Sequence, residues 1–308
     1  MSWDFHLFES YGIELEYIIV SRETLNVLPI PDLLLYKAAK NYSGEYQNGD
    51  IGWSNEFVLH LIELKNTLPV PNLLPLIDQF SQNIITINSA LAEHSAVLMP
   101  TGMHPWMDPL KEAKFWPHEG SHIYKMYDRI FECKRHGWAN VQSCHLNLPF
   151  FDENEFGKLH AAIRMLIPVL PAIAASSPLV EHSITNCLNN RLKYYQTNQI
   201  RFPKITGKVI PEAVFSPDEY YEKILDPMYH TISSQDPKRI LQEEWLNSRG
   251  AIARFDRGAI EIRVLDTQEC PLADFSLAYF IITILKHICD EKFGSYAQQK
   301  LFSTNELY

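Results

Sequence analysis

Acidic side chains recur in this sequence at spacings that would bring them together on a sheet. Glu14 and Glu16 stand two residues apart in Tyr11 to Val20, whose alternation and β-branched end predict a strand. Residues i and i+2 of a strand project from one face about 7 Å apart, so both acids share a face and Ile13, Leu15 and Tyr17 point the other way. Alone, the pair fits a solvated face as well as a metal or catalytic site. Glu63 sharpens the choice. It follows Leu59 and Leu61 at the same parity in a second predicted strand, Phe57 to Lys65, where it should face the core, and a buried carboxylate needs a cation. Glu56, seven residues earlier, has the opposite parity in a regular strand, so a bulge or a loop start must intervene if both serve one site.

Glu261 is the fifth acid, in Ala259-Ile260-Glu261-Ile262-Arg263-Val264-Leu265-Asp266, where Glu261, Arg263 and Leu265 are expected on one face. A surface Glu–Arg pair would explain this and contribute little. Arg254 and Arg257 lie just upstream, however, so three arginines and three acids fall within the thirteen residues from 254 to 266. The planar guanidinium fork suits carboxylate and phosphate groups, as phosphoryl transfer requires. His145 and Asn147 share a strand face with Ser143, and a lone strand histidine is either a hydrogen-bonded core group or a ligand. Cys144, its neighbour, points to the opposite face, which argues against a Cys–His nucleophile couple. The sequence has neither Gly-x-x-x-x-Gly-Lys-Ser/Thr nor Gly-x-Gly-x-x-Gly, so a bound triphosphate would be held through metals. Strand carboxylates plus one histidine suit Mg²⁺ or Mn²⁺.

The elements that must position these groups alternate irregularly. Further strands are predicted over 96–103, 141–149, 251–255 and 259–265, the last two joined at Asp256-Arg257-Gly258. Helices are predicted over 72–94, 120–136, 155–175 (kinked at Pro168 and Pro171) and 272–293. The polar stretch 176–237 reads as irregular substrate loops. With 308 residues and 46% hydrophobic content, the chain can bury a large core, expected as one catalytic domain over 1–308. A formal charge of −10 disfavours a nucleic-acid partner. Five widely spaced cysteines without a Cys-x-x-Cys pair suggest reduced thiols. No apolar run of 18 residues and no leader pattern is read, so a cytoplasmic location without membrane contact is expected. A homo-oligomer is compatible with all of this.

Taken in order, Gly12-Ile13-Glu14-Leu15-Glu16, Glu56 with Glu63, Thr101-Gly102-Met103-His104-Pro105, His145-Leu146-Asn147, and Arg254-Phe255-Asp256-Arg257 followed by Glu261 to Asp266 resemble the motifs of the glutamate–cysteine ligase family. The short bacterial carboxylate–amine ligases are the branch resembled most, over about residues 9–275. The resemblance implies an α+β, glutamine synthetase-like fold: a curved, largely antiparallel six-stranded sheet with helices on its outer face. It further implies Glu14, Glu16, Glu56, Glu63, His145 and Glu261 as metal ligands, and Arg263 steadying a transferring phosphoryl group. Arg254 and Arg257 become phosphate or carboxylate contacts, and Arg191, Asn147 and His104 substrate contacts. Asn147 departs from the His-x-His found in many members of that branch. The implied activity is an ATP- and Mg²⁺-dependent union of a small acid with an amine through an acyl phosphate, by default γ-glutamyl transfer to an amino acid. A phosphagen-type kinase and a non-catalytic nucleotide-binding relative are the alternatives.

Overall fold

The structure, a computed structural model, describes residues 3–308; the first two residues of the segment read for a leader lie outside the described residues. Among the described residues ten strands form: β1 (Gly12–Ser21), β2 (Glu45–Asn48), β3 (Ile51–Asn55), β4 (Leu61–Asn66), β5 (Ala96–Met99), β6 (Ser143–Pro149), β7 (Leu179–Val180), β8 (Ser183–Ile184), β9 (Ala251–Arg254) and β10 (Ala259–Asp266). Eight build one sheet in the order β2-β3-β4-β1-β6-β10-β9, with β5 paired to the far end of β1. Every pairing in it is antiparallel. The fold class is the one expected, with eight strands in place of six. The additional pair is β2–β3, a tight hairpin whose Gly49 has φ of 66°, the left-handed region that the first position of such a turn requires.

Alternation along β1 divides the sheet into two faces. Ile13, Leu15, Tyr17 and Ile19 join a continuous core with Phe80, Phe156, Phe275 and Ile281. These come from the helices Leu74–Leu91, Glu153–Leu166 and Pro271–Cys289, which cover that face. Each fully buried aliphatic or aromatic side chain there contributes about 1.5–3 kcal/mol relative to exposure, so this face anchors the sheet. The helix Pro271–Cys289 is long and apolar enough to cross a membrane by composition, but its Phe275, Ala278, Ile281 and Leu285 are spent on this core. On the opposite face, Ile18, Val20 and Leu61 form a smaller apolar cluster with Val27, Val58 and Met107. The rest of that face carries the acids.

Stretch 176–237 is more ordered than the sequence suggested. It holds the helix Asn190–Tyr195 and a continuous helical run over 217–232 containing a π-type turn, Tyr221–Leu225. Phe57 to His60, expected as strand, is instead the connection between β3 and β4.

Candidate active site

Strand register sets the acids in rows. Lys65 of β4, Glu14 of β1 and His145 of β6 are successive cross-strand partners. One row along, Ser54, Glu63 and Glu16 are partners across β3, β4 and β1. A third row joins Gly12, Asn147 and Glu261. The Glu56 and Glu63 parity conflict disappears because the two residues lie on different strands. Glu56 follows the end of β3 in phase with Ser54, and Ser54 faces Glu63.

Two candidate ligand triads result, Glu14–Glu63–His145 and Glu16–Glu56–Glu63, each with its donor atoms within 4.8 Å of one another. Glu63 belongs to both. His145 Nδ1 lies 3.0 Å from Glu14 Oε2, and Asn147 Nδ2 donates to Glu14 Oε1 at 3.1 Å. Ser54 Oγ donates to Glu63 Oε1 at 2.9 Å, and the Ser143 N–H donates to Glu16 Oε2 at 2.6 Å.

The electrostatics show the strain of this crowding. Burial, then the charges of Glu63 and Glu16, push the Glu56 carboxyl well above its usual range. Burial also raises Glu16, with Glu63 adding to it. Burial opposes ionisation of Glu14, but its bond to His145 turns the net shift downward. Burial lowers His145, yet Glu14 together with Glu16 and Glu261 raises it overall. Carboxylates driven together in this way, all oxygen donors beside one ring nitrogen, fit a hard divalent cation such as Mg²⁺ or Mn²⁺.

Glu261 stands apart from the triads. Its Oε1 is 3.0 Å from Arg263 Nε, out of line for a hydrogen bond, and its Oε2 is 3.6 Å from Arg254 Nη1. Burial opposes its charge, but Arg263, His145 and Arg254 hold it below the usual carboxylate range. A register shift between Ile262 and Leu265 inserts one extra residue in β10. That bulge corrects the expected shared face: Leu265 enters the helix-covered core, and Asp266, opposite Ser143, takes its place on the acidic face.

Asp266 Oδ1 lies 3.6 Å from Arg191 Nη1. Arg191 is buried, and its Nη2 donates to Ser143 Oγ and, at 2.8 Å, to the Arg263 carbonyl, while its Nε has no partner. Gly102 leaves room for this arrangement, since a Cβ there would lie 2.4 Å from Asp266 Oδ2.

Glu16, Glu56, His145, Arg191 and Arg263 line one cavity of about 230 Å³, so the sheet brings five of the sequence-selected residues to a common space. Of the other seven, Glu14, Glu63 and Glu261 adjoin it through the rows above, and four stand elsewhere. His104 is fully buried outside it: its Nε2–H donates to the Leu25 carbonyl at 2.7 Å, and Nδ1 accepts from the N–H groups of Trp106 and Met107. Both ring nitrogens are committed to the backbone, so the structure does not bring His104, expected as a substrate contact, to this cavity. Arg257 sits half-exposed in the β9–β10 turn against Asp256, 3.6 Å away, outside the cavity. Arg254 grips Asp256 through two bonds of 3.1 and 2.9 Å and reaches Glu261, so it orients that acid instead of facing the cavity. Asn147 acts on Glu14.

Sequence reasoning missed the cavity's aromatic wall of Phe57, Tyr124, Tyr127, Trp138, Tyr195 and Trp245. Tyr124 and Tyr127 are i,i+3 neighbours on the helix Ser121–Phe131, a spacing that a core-facing helix shares. Tyr195, four residues after Arg191 on one helix, was open to the same rule. Lys65, two residues after Glu63 on one strand face, was equally legible; its Nζ is 3.0 Å from Glu63 Oε1.

The chain matches glutamate-cysteine ligase family 2 over residues 10–300. It is 37% identical to an uncharacterized protein of Archaeoglobus fulgidus over 280 residues, 91% of this chain and 75% of that one. Among solved structures, a bifunctional glutathione synthetase from Pasteurella multocida is similar with a TM-score of 0.59 at 15% identity. That similarity covers 98% of this chain but spans only 40% of the Pasteurella protein. A glutamate–cysteine ligase from Francisella tularensis, solved with AMP, is similar with a TM-score of 0.57 at 17% identity, covering 97% of this chain and 71% of that one. At these identities the two structures speak to the fold.

Proposed function

The chain belongs to glutamate-cysteine ligase family 2, and on that premise we propose that it is an ATP- and Mg²⁺-dependent carboxylate–amine ligase. The observation that carries this reading is the meeting of two carboxylates, Glu16 and Glu56, with His145 and two arginines, Arg191 and Arg263, in one cavity. Glu14, Glu16, Glu56, Glu63 and His145 would hold the cation, which when bound neutralises phosphate charge. Arg263 faces the cavity with its Nε near Glu261 and its Nη1 donating to the Asn247 carbonyl at 3.1 Å, so the guanidinium is fixed before substrate arrives. Such a pre-set cation favours the charge that develops on a transferring phosphoryl group. Arg191, whose Nε is buried without a partner, receives the acid's carboxylate.

The γ-phosphoryl group of ATP passes to a carboxylate oxygen, leaving ADP and an acyl phosphate. An amine then attacks the carbonyl carbon, phosphate departs with that oxygen, and the nitrogen loses a proton to give an amide. No side chain need form a covalent bond; positioning and charge neutralisation suffice. In finer detail we assign the side-chain carboxylate of glutamate as the acid and an amino acid as the amine. The five free cysteines agree with a cytoplasmic setting. The test replaces the amine with hydroxylamine: ADP and a hydroxamate should form together, with Mg²⁺ present, across a panel of acids beginning with glutamate. ADP without hydroxamate from any acid would contradict the ligase reading.

A further inference from the structure

The acidic face carries a cation of its own. Of Glu14, Glu16, Glu56 and Glu63, only Glu63 has a lysine or arginine within ion-pair distance among the described residues, and that partner is Lys65, 3.0 Å away. Lys65 shares the strand face of Glu63 and is the register partner of Glu14, so it stands at the end of the Glu14–His145 row, beside the first triad. Its side chain is 35% exposed, and its other acidic neighbour, Glu45, is 3.9 Å distant and lies out on the surface. The carboxylate it holds is the one common to both triads, and the oxygen it holds also accepts from Ser54 Oγ.

We propose that Lys65 is an exchangeable counter-ion: it occupies Glu63 while the site lacks a divalent cation and gives that carboxylate up when one binds. This inference rests on the reading of the cluster as a cation site. Without Lys65, Glu63 would lose its one lysine or arginine partner among the described residues while still standing opposite Glu16, leaving that like-charge pairing less compensated in the metal-free protein. With it, a cation entering the site must displace an ammonium group and then sit beside it. The lysine therefore stabilises the empty site and weakens the affinity for metal alone. It is a positioning residue, acting on the ligand Glu63.

The experiment measures Mn²⁺ binding by the paramagnetic signal of the free ion, without nucleotide, and thermal unfolding with and without Mn²⁺, in wild type, Lys65→Met and Lys65→Arg. Lys65→Met should bind Mn²⁺ roughly fivefold more tightly, the order of a partly exposed ion pair. Its metal-free unfolding temperature should fall while its metal-saturated one stays near wild type, and Lys65→Arg should restore both. Equal or weaker Mn²⁺ binding by Lys65→Met overturns the counter-ion role while leaving the cation site standing. No Mn²⁺ binding by any of the three overturns the cation site itself, and with it the inference. Lys65→Gln, of intermediate polarity, serves the same comparison if Lys65→Met does not fold.

Discussion

Glu16 and Glu63 stand directly opposite each other on neighbouring antiparallel strands, and both are buried. Like charges in such cross-strand positions destabilise a sheet. Glu16→Gln should therefore raise the metal-free unfolding free energy by about 1 kcal/mol. The same change should shrink the stabilisation by millimolar Mg²⁺ plus nucleotide. Denaturant titration with chelator and with metal measures both. An unchanged metal-dependent gain in the variant would remove Glu16 from the site.

Glu261 and Arg263 share a strand face but not a role. Glu261→Gln should mainly weaken metal–nucleotide binding, since it alters a buried charge held by two arginines. Arg263→Ala should lower kcat by about 10²-fold, the usual scale for losing a group that acts on transition-state charge. Steady-state kinetics over a range of Mg²⁺ concentrations separates the two. Equal losses of kcat in both variants would erase the distinction.

His104→Ala should cost about 2–3 kcal/mol of stability, because it removes three hydrogen bonds to the backbone of Leu25, Trp106 and Met107, the last of them buried. The KM values for ATP and acid should stay near wild type. A selective rise in the KM for the acid at unchanged stability would return His104 to the substrate.

Asp274 provides a pH signature remote from the acidic face. It lies fully buried on the helix Pro271–Cys289; its Oδ1 accepts from the Gln268 N–H, and its Oδ2 has no partner. Burial pushes its carboxyl up to about 8. A carboxyl whose folded value exceeds its unfolded one keeps its proton in the fold, so its contribution to stability declines as pH rises from about 4 to about 8. Asp274→Asn should raise the unfolding temperature by about 5 °C at pH 8 and by little at pH 4. Calorimetry at the two pH values checks it, and an equal shift at both would mean that Asp274 does not titrate in this range.

Much of this arrangement was legible in residue spacing because strand parity is strict. Residues two apart on one strand share a face, which is enough to align Glu14 with Glu16, and His145 with Asn147 and Ser143. Parity fails where a chain changes strand or gains a residue. Glu56 looked misplaced beside Glu63 because the β3–β4 connection was read as one strand, although Asn48-Gly49 already marked a hairpin upstream. The β10 bulge exchanged Leu265 for Asp266, and no local residue type announces it. Arg191 and the aromatic wall, except Phe57 beside Glu56, come from segments distant in sequence, so strand parity could not join them to the acids. His104 illustrates the opposite hazard: its motif serves the site through Gly102, which admits Asp266.

The most direct test of the ligase reading follows one oxygen atom. If the acid is activated as an acyl phosphate, one of its carboxylate oxygens must leave with inorganic phosphate when the amine attacks. Substrate labelled with ¹⁸O in the reacting carboxylate should therefore yield phosphate carrying about one labelled atom per turnover, read by mass spectrometry, with hydroxylamine as the amine where needed. Unlabelled phosphate accompanying genuine amide or hydroxamate formation would contradict the account, because the carboxylate oxygen lost on forming the amide would then have left with another group, such as AMP, and not from an acyl phosphate.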